Sequence, residues 1–256
     1  MKKPPRSLPP VFLSLTLLVL FTAVPSGASE NKASFRAGIS FEHFSRTVED
    51  KVRLSKSSAD LIMARAEIEP RPGLVFDLEA GFSLSNFNGL HFVHLPISID
   101  YEAGAVTGLL IGAGVRAGLL RLGDFDIEGV GRFVYSPGST KTWTLEGFSV
   151  PGTSRGGPTW MRASVGPRIS YIFPGKFVPF LSILGSWFWG NFKLDETLSD
   201  LYGQETKKIR GKSLVEISLG ADYKVSDRIS LRAEAGFLPY AGGIDGTVSA
   251  GCLFFF

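Results

Sequence analysis

Beyond about residue 33, apolar residues recur at every second position along most of the chain. In Phe35–Glu42, Phe35, Ala37, Ile39 and Phe41 alternate with Arg36, Gly38, Ser40 and Glu42. Leu74–Ser85 sets Leu74, Phe76, Leu78, Ala80, Phe82 and Leu84 against Val75, Asp77, Glu79, Gly81, Ser83 and Ser85. Met161–Phe173, Val215–Val225 and Ile229–Phe237 repeat the pattern. A period of two is that of a β-strand whose faces meet different environments.

Soluble sandwiches also alternate, so further features must separate the two cases. The alternating runs reach about 10 to 15 residues, whereas soluble strands are mostly nearer 5–6. A tilted strand crossing a bilayer needs ~9–11. Aromatics gather towards run ends: Phe35 and Phe44, Phe133 and Tyr135, Trp160, Tyr171 and Phe173, Trp187 and Trp189. Such placement matches girdles at the two membrane interfaces. Connections alternate between the tight turns 70–73, 174–176 and 226–228 and the long polar segments 46–57, 136–158 and 191–212. Short turns on one side and long loops on the other mark an outer-membrane barrel.

The predicted fold is therefore all-β, a closed antiparallel up-and-down transmembrane β-barrel. Strands are expected at 34–45, 58–68, 74–85, 105–119, 124–135, 159–173, 178–190, 213–225, 229–238 and 246–256. With both termini on one side the count must be even, and these make ten. His91–Tyr101 also alternates. Counted as a span together with Lys141–Val150 it gives twelve; otherwise it lies in the second external loop or above the rim.

The ends of the chain add a compartment. Lys2, Lys3 and Arg6 precede the uncharged run Val11–Val24, and Ser26-Gly27-Ala28 supplies small residues for cleavage. This layout predicts a secretory signal peptide over 1–28, with the barrel over 29–256. The run falls short of the roughly 20 residues a spanning helix needs. A single cysteine, Cys252, excludes an intrachain disulfide framework. The net charge of +3, without a basic stripe interleaved with aromatics, gives no nucleic-acid signature.

At the C-terminus the chain reads SAGCLFFF. Ser249, Gly251, Phe254 and Phe256 form a pattern of polar residue, glycine and two alternating aromatics that resembles the signal read by the bacterial barrel-assembly machinery. With it, the mature chain resembles small outer-membrane β-barrel proteins of the OmpA/OmpX-like type. The resemblance implies a Gram-negative outer membrane and insertion by that machinery; it implies no molecular activity.

The inward faces are where transport would show. Ten strands bring in the basic residues Arg36, Arg65, Arg116, Arg132, Arg162, Arg168, Lys224 and Arg232. The acidic ones are Glu42, Glu67, Asp77, Glu79, Asp126, Glu128, Glu216, Asp222 and Glu234. Near-balance predicts a lumen cross-linked by ion pairs, with Arg forks on carboxylates. An eight-stranded barrel is already filled by its own side chains, and ten is little wider. A plugged or very narrow barrel follows, with a narrow diffusion channel as the alternative.

Other chemistry is thin. His91-x-x-His94 offers half a metal site at most. His43 with Glu42 and Asp50 near the outer rim is a candidate part of a catalytic group, which keeps an outer-leaflet enzyme as a third reading, but no carboxylate–His pair facing a carboxylate pair stands at matching strand ends. No metal, cofactor or catalytic residue is assigned. Gly152–Gly157 lacks the strand-to-helix context of a phosphate loop and is expected to be a flexible external loop. The basic run Lys207-Lys208-Ile209-Arg210-Gly211-Lys212 is placed at the base of another external loop, where lipopolysaccharide phosphates are candidate ligands. The expected role is structural or surface-interactive, with outer-membrane lipid as partner and the external ligand open.

Overall fold

The computed structural model describes residues 33–50, 53–101, 104–145, 149–173 and 175–256. The expected signal peptide lies outside the described residues. Fourteen strands occur among them: β1 (Ser34–Glu49), β2 (Leu54–Arg71), β3 (Leu74–Asn86), β4 (His91–Phe92), β5 (Ile99–Asp100), β6 (Val106–Leu122) and β7 (Phe125–Ser136) in the first half. The second half adds β8 (Lys141–Thr144), β9 (Gly152–Tyr171), β10 (Phe177–Leu198), β11 (Leu201–Gly211), β12 (Val215–Ser226), β13 (Ile229–Tyr240) and β14 (Gly243–Phe255).

Twelve of these share one antiparallel sheet, and ten of the twelve close a ring. The ring runs β1-β2-β3-β6-β7-β9-β10-β12-β13-β14 and returns to β1. These are the ten expected spans. β8 pairs only with the outer part of β9, at Lys141↔Gly156 to Thr144↔Thr153. β11 pairs with the outer part of β10. His91–Tyr101 supplies β4 and β5, a separate two-stranded ribbon in the second external connection. Followed around the ring, the registers return to β1 displaced by roughly twelve residues, a stagger that tilts the strands by roughly 40°.

Closure depends on β1 meeting β14, from Arg36↔Phe255 to Ser45↔Gly246. Gly38 lies in this seam, where an added Cβ would stand 1.8 Å from the Cys252 carbonyl oxygen. The seam is shut only because that side chain is missing. Closure leaves no unpaired strand edge within the membrane, as hydrocarbon requires.

The outward faces of the spans are apolar. Ile39, Ile62, Leu78, Phe82, Leu109, Ile183, Leu219 and Val248 are all exposed. In water this would be an aggregation hazard; here it is the lipid-facing belt. At the end where β1 begins and β14 finishes, Phe35, Phe125, Phe177, Tyr223, Phe254 and Phe256 are exposed in an aromatic girdle. Its rings touch: Phe35 with Phe256 at 5.8 Å and Phe125 with Tyr171 at 4.9 Å. At the outer end, Tyr135, Trp187 and Trp189 stand on outward positions. Phe44 and Trp160, expected in a girdle, instead point inward and are fully buried.

The three expected long loops are largely strand. β1 and β2 extend to a short connection at 50–53, β9 begins at Gly152, and β10 and β11 form a hairpin turning at 199–200. The reason is a change of phase. Within the membrane the apolar residues face out. Above it, water bathes the outer face, so apolar residues such as Phe44, Val48, Phe188, Phe192 and Leu194 face in. Period two persists while its sense inverts, and a polar segment with few outward apolar residues then reads as a loop. Gly152–Gly157 is thus part of β9, and Lys207–Gly211 part of β11.

Candidate functional site: a charged lumen, an aromatic core and a cationic outer face

Inside the membrane-spanning part, charges from neighbouring strands meet across the barrel. Arg132 bonds Glu42 at 2.6 Å and Glu79 at 2.8 Å, and Glu42 also pairs with Arg162. Arg65 reaches Glu67, Asp77 and Glu79 at 3.1, 3.3 and 3.7 Å. Glu67 is shared with Arg116 at 3.0 Å and Arg36 at 3.3 Å, and Arg36 also bonds Glu69. Arg232 grips Asp222 through both fork nitrogens, at 2.6 and 2.8 Å. Arg168 meets Glu234 at 3.5 Å and lies over the Phe180 ring at 4.1 Å. Glu216 accepts from Ser186 at 3.0 Å and faces Arg46 at 3.6 Å.

Of the assigned lumen charges, all but Lys224, Asp126 and Glu128 have a named partner in this network; Asp126 meets Arg121 instead, at 3.6 Å. Lys224 lies exposed near the rim at the end where β1 begins and β14 finishes. Small residues make room for the network: a Cβ on Gly114 would come within 2.4 Å of Asp77 Oδ2. Among these groups lies a cavity of about 90 Å³, lined by Met63, Arg65, Arg116, Arg132 and Glu234.

An aromatic core lies outward of the charge network. Phe44, Trp160 and Phe188 contact one another at 5.3 to 5.9 Å between ring centroids. The Trp160 indole donates to Ser85 Oγ at 2.8 Å, which satisfies its N–H in the core. Phe192 carries the core on towards Phe87, Phe92 and Tyr101 at 5.9, 5.7 and 4.5 Å. Tyr101 meets Trp143 of β8 at 5.4 Å. These apolar groups fill the bore where the outer faces are wet.

The second external connection folds over this core and is latched to the β10–β11 hairpin. Glu205 accepts from the backbone N–H groups of Val93 and His94, each at 2.8 Å, and pairs with Lys207 at 3.0 Å. Glu196 accepts from the Ile97 N–H at 3.1 Å. Burial pushes the Glu205 carboxyl up, but the His94 N–H, Lys207 and the Val93 N–H outweigh it and hold the group below the usual carboxylate range. For Glu196 burial dominates and the group is raised, the Ile97 N–H opposing only in part. Burial also lifts the Tyr101 phenol to about 12.

Two of the histidines each pair with an aspartate. His43 bonds Asp60 at 2.7 Å on the outer face of β1 and β2, while Glu42 and Asp50 point to the buried side. His91 bonds Asp100 at 2.7 Å across β4 and β5. Among the described residues no cluster of His, Cys, Asp and Glu suits a metal ion. Of the terminal pattern, Ser249 pairs with Glu42 and Glu234 in the strand registers, Gly251 with Ser40 and Arg232, and Phe254 and Phe256 face the lipid girdle.

Sequence reasoning missed Arg46, Glu196 and Glu205, all of which face the interior. The signal was available as the continued period of two through 46–57 and 191–212. Of the basic run, Lys207 turns inward, while Lys208 and Arg210 stand exposed on the outer face of β11. Lys212 pairs with Glu49 at 2.7 Å.

No family model matches the sequence. No curated protein matches it either. Among solved structures, the chain is similar to the translocator domain of the autotransporter NalP from Neisseria meningitidis. The identity is 10%, 96% of each chain is covered and the TM-score is 0.50. The outer membrane protease OmpT from Escherichia coli matches at 12% identity over 88% of this chain and 96% of that chain, TM-score 0.44. The beta domain of the Bordetella autotransporter BrkA matches at 12% identity over 88% and 100%, TM-score 0.42. At such identities the likeness is one of fold. The lipid-facing belt and the shared fold identify the chain as a transmembrane β-barrel of the bacterial outer-membrane type.

Proposed function

We propose that the protein is a non-conducting outer-membrane barrel that acts at the outer surface through its strand-built extension. The observation that carries this reading is the double seal: a charge network through the membrane and an aromatic core above it, capped by the latched second connection. A diffusion channel would spend its bore on water, whereas this bore is occupied by Phe44, Trp160, Phe188 and Phe192. The outer extension, by contrast, is rigidly built, because β9, β10 and β11 continue their pairing as far as Leu198↔Leu201.

Liposome swelling tests the reading. Vesicles holding the refolded, heat-modifiable protein should swell in small sugars and amino acids no faster than empty vesicles. Swelling that scales with protein content and falls with solute size would instead establish the diffusion channel.

A further inference from the structure

Above the outer girdle, the outward face of β9, β10 and β11 changes abruptly from apolar to cationic. Register sets Arg210 between Trp189 and Glu49, Lys208 beside Asn191, Gly157 beside Lys193 and Arg155 beside Asp195; the Glu49 carboxylate is taken by Lys212 at 2.7 Å. Successive outward positions are two residues apart, roughly 5 Å in height for strands tilted by about 40°. Arg210 is thus close to the level of the girdle tryptophan, Lys208 about 5 Å above it, and Lys193 and Arg155 higher again. Arg155, Lys208 and Arg210 are in no ion pair among the described residues.

A cavity of about 350 Å³ opens on this face. Ser139 and Thr140, from the segment after β7, close one side; Arg155, Thr159, Lys193 and Asp195 form the other. Its polar groups are two cations, hydroxyls and one carboxylate. That carboxylate is already engaged: Asp195 meets Lys193 at 3.4 Å and accepts from Gln204 at 2.5 Å and Tyr202 at 3.3 Å. Hydroxyls beside cations suit a phosphorylated sugar, and phosphate is bound well by Arg and Lys.

We propose that this face binds a phosphorylated glycolipid of the outer leaflet. Arg155 and Lys193 take a phosphate with its sugar in the cavity. Lys208 and Arg210 take phosphate nearer the hydrocarbon, and the acyl chains lie along Trp189, Met161 and Tyr135. A lipid is favoured over a soluble anion because the cations form a band continuous with the girdle, and only a ligand lodged in the membrane surface reaches both. The proposal rests on the outer-membrane reading of the barrel but is independent of the sealed lumen.

The test titrates the refolded full chain in detergent with lipid A and with the same glycolipid stripped of phosphate, reading bound lipid by native mass spectrometry. Lipid A should bind about tenfold more tightly than the stripped form. Combined replacement Arg155→Ala, Lys193→Ala, Lys208→Ala and Arg210→Ala should remove that difference, while Lys56→Ala on the outer face of β2 should keep it. Heat-modifiable migration reports whether each variant has assembled. If the quadruple variant does not assemble, the comparison of the two lipids on the unaltered chain decides. Equal binding of the two lipids overturns the proposal. Displacement of lipid A by millimolar inorganic phosphate alone would also overturn it, showing a simple anion site. Solute flux would refute the sealed bore without touching this result.

Discussion

Glu205 and Glu196 show how far two carboxylates on one hairpin can diverge. Both accept backbone N–H groups from the same external connection, yet Glu205 is lowered by its donors and Glu196 raised by burial. The signs for stability are opposite. A lowered group adds stability that is present above the ordinary carboxylate value and is lost as pH falls through its own. A raised group adds stability below the ordinary value and loses it as pH rises through its own. The Glu205 latch should therefore loosen on acidification. Exchange of the Val93 and His94 amides, corrected for intrinsic rate, should accelerate as pH falls below the ordinary carboxylate range. Glu205→Gln should speed the same amides at neutral pH and abolish the acid effect; an unchanged acid response in that variant would deny Glu205 the role.

Deeper in the bore, Glu42→Leu should destabilise the barrel by about 3 kcal/mol, because Arg162 loses its carboxylate and Arg132 keeps only Glu79. Urea unfolding in lipid vesicles would measure it, and a change under 1 kcal/mol would show the pair to be dispensable. At this scale the lumen charges could be read from alternation, since Arg and Glu on the non-lipid face must point inward. Glu205 and Glu196 could not, because their partners are backbone N–H groups of a distant connection, which no side-chain pattern announces.

Among the elements, the membrane spans were fully legible. Their outward apolar runs and the parity of the count gave ten strands, and ten close the ring. The seam between β1 and β14 was not, because nothing in the sequence marks Gly38 apart from other inward glycines such as Gly81. Gly38→Val should prevent closure: its Cβ would overlap the Cys252 carbonyl, which is backbone and cannot turn aside. Loss of heat-modifiable migration is the expected result, and normal migration would show that the seam can shift. Where strands rise above the membrane, legibility failed for a physical reason. The solvent changes from lipid to water, the apolar face switches sides, and Phe44 and Trp160 passed for girdle residues when they are core. Trp160→Ala should cost about 3–5 kcal/mol, the range for removing a large buried aromatic, whereas a girdle residue would cost far less.

Taken as a whole, the molecule is two structures on one set of strands. The membrane part is apolar outside and charged inside; the outer part is polar outside and aromatic inside. Near-balance of inward charge pointed to a narrow lumen from the sequence. The aromatic core and the folded second connection did not show there, because each assembles residues from five or more segments. Both seals act in series, so opening one should not open the bore. The direct measurement is single-channel conductance of the refolded protein in a planar bilayer, for the unaltered chain and for Glu205→Gln combined with Trp160→Ala. The sealed-bore account predicts silence from the unaltered chain at voltages where a porin conducts, and at most rare, small openings from the double variant. Steady openings of uniform size from the unaltered chain would contradict it.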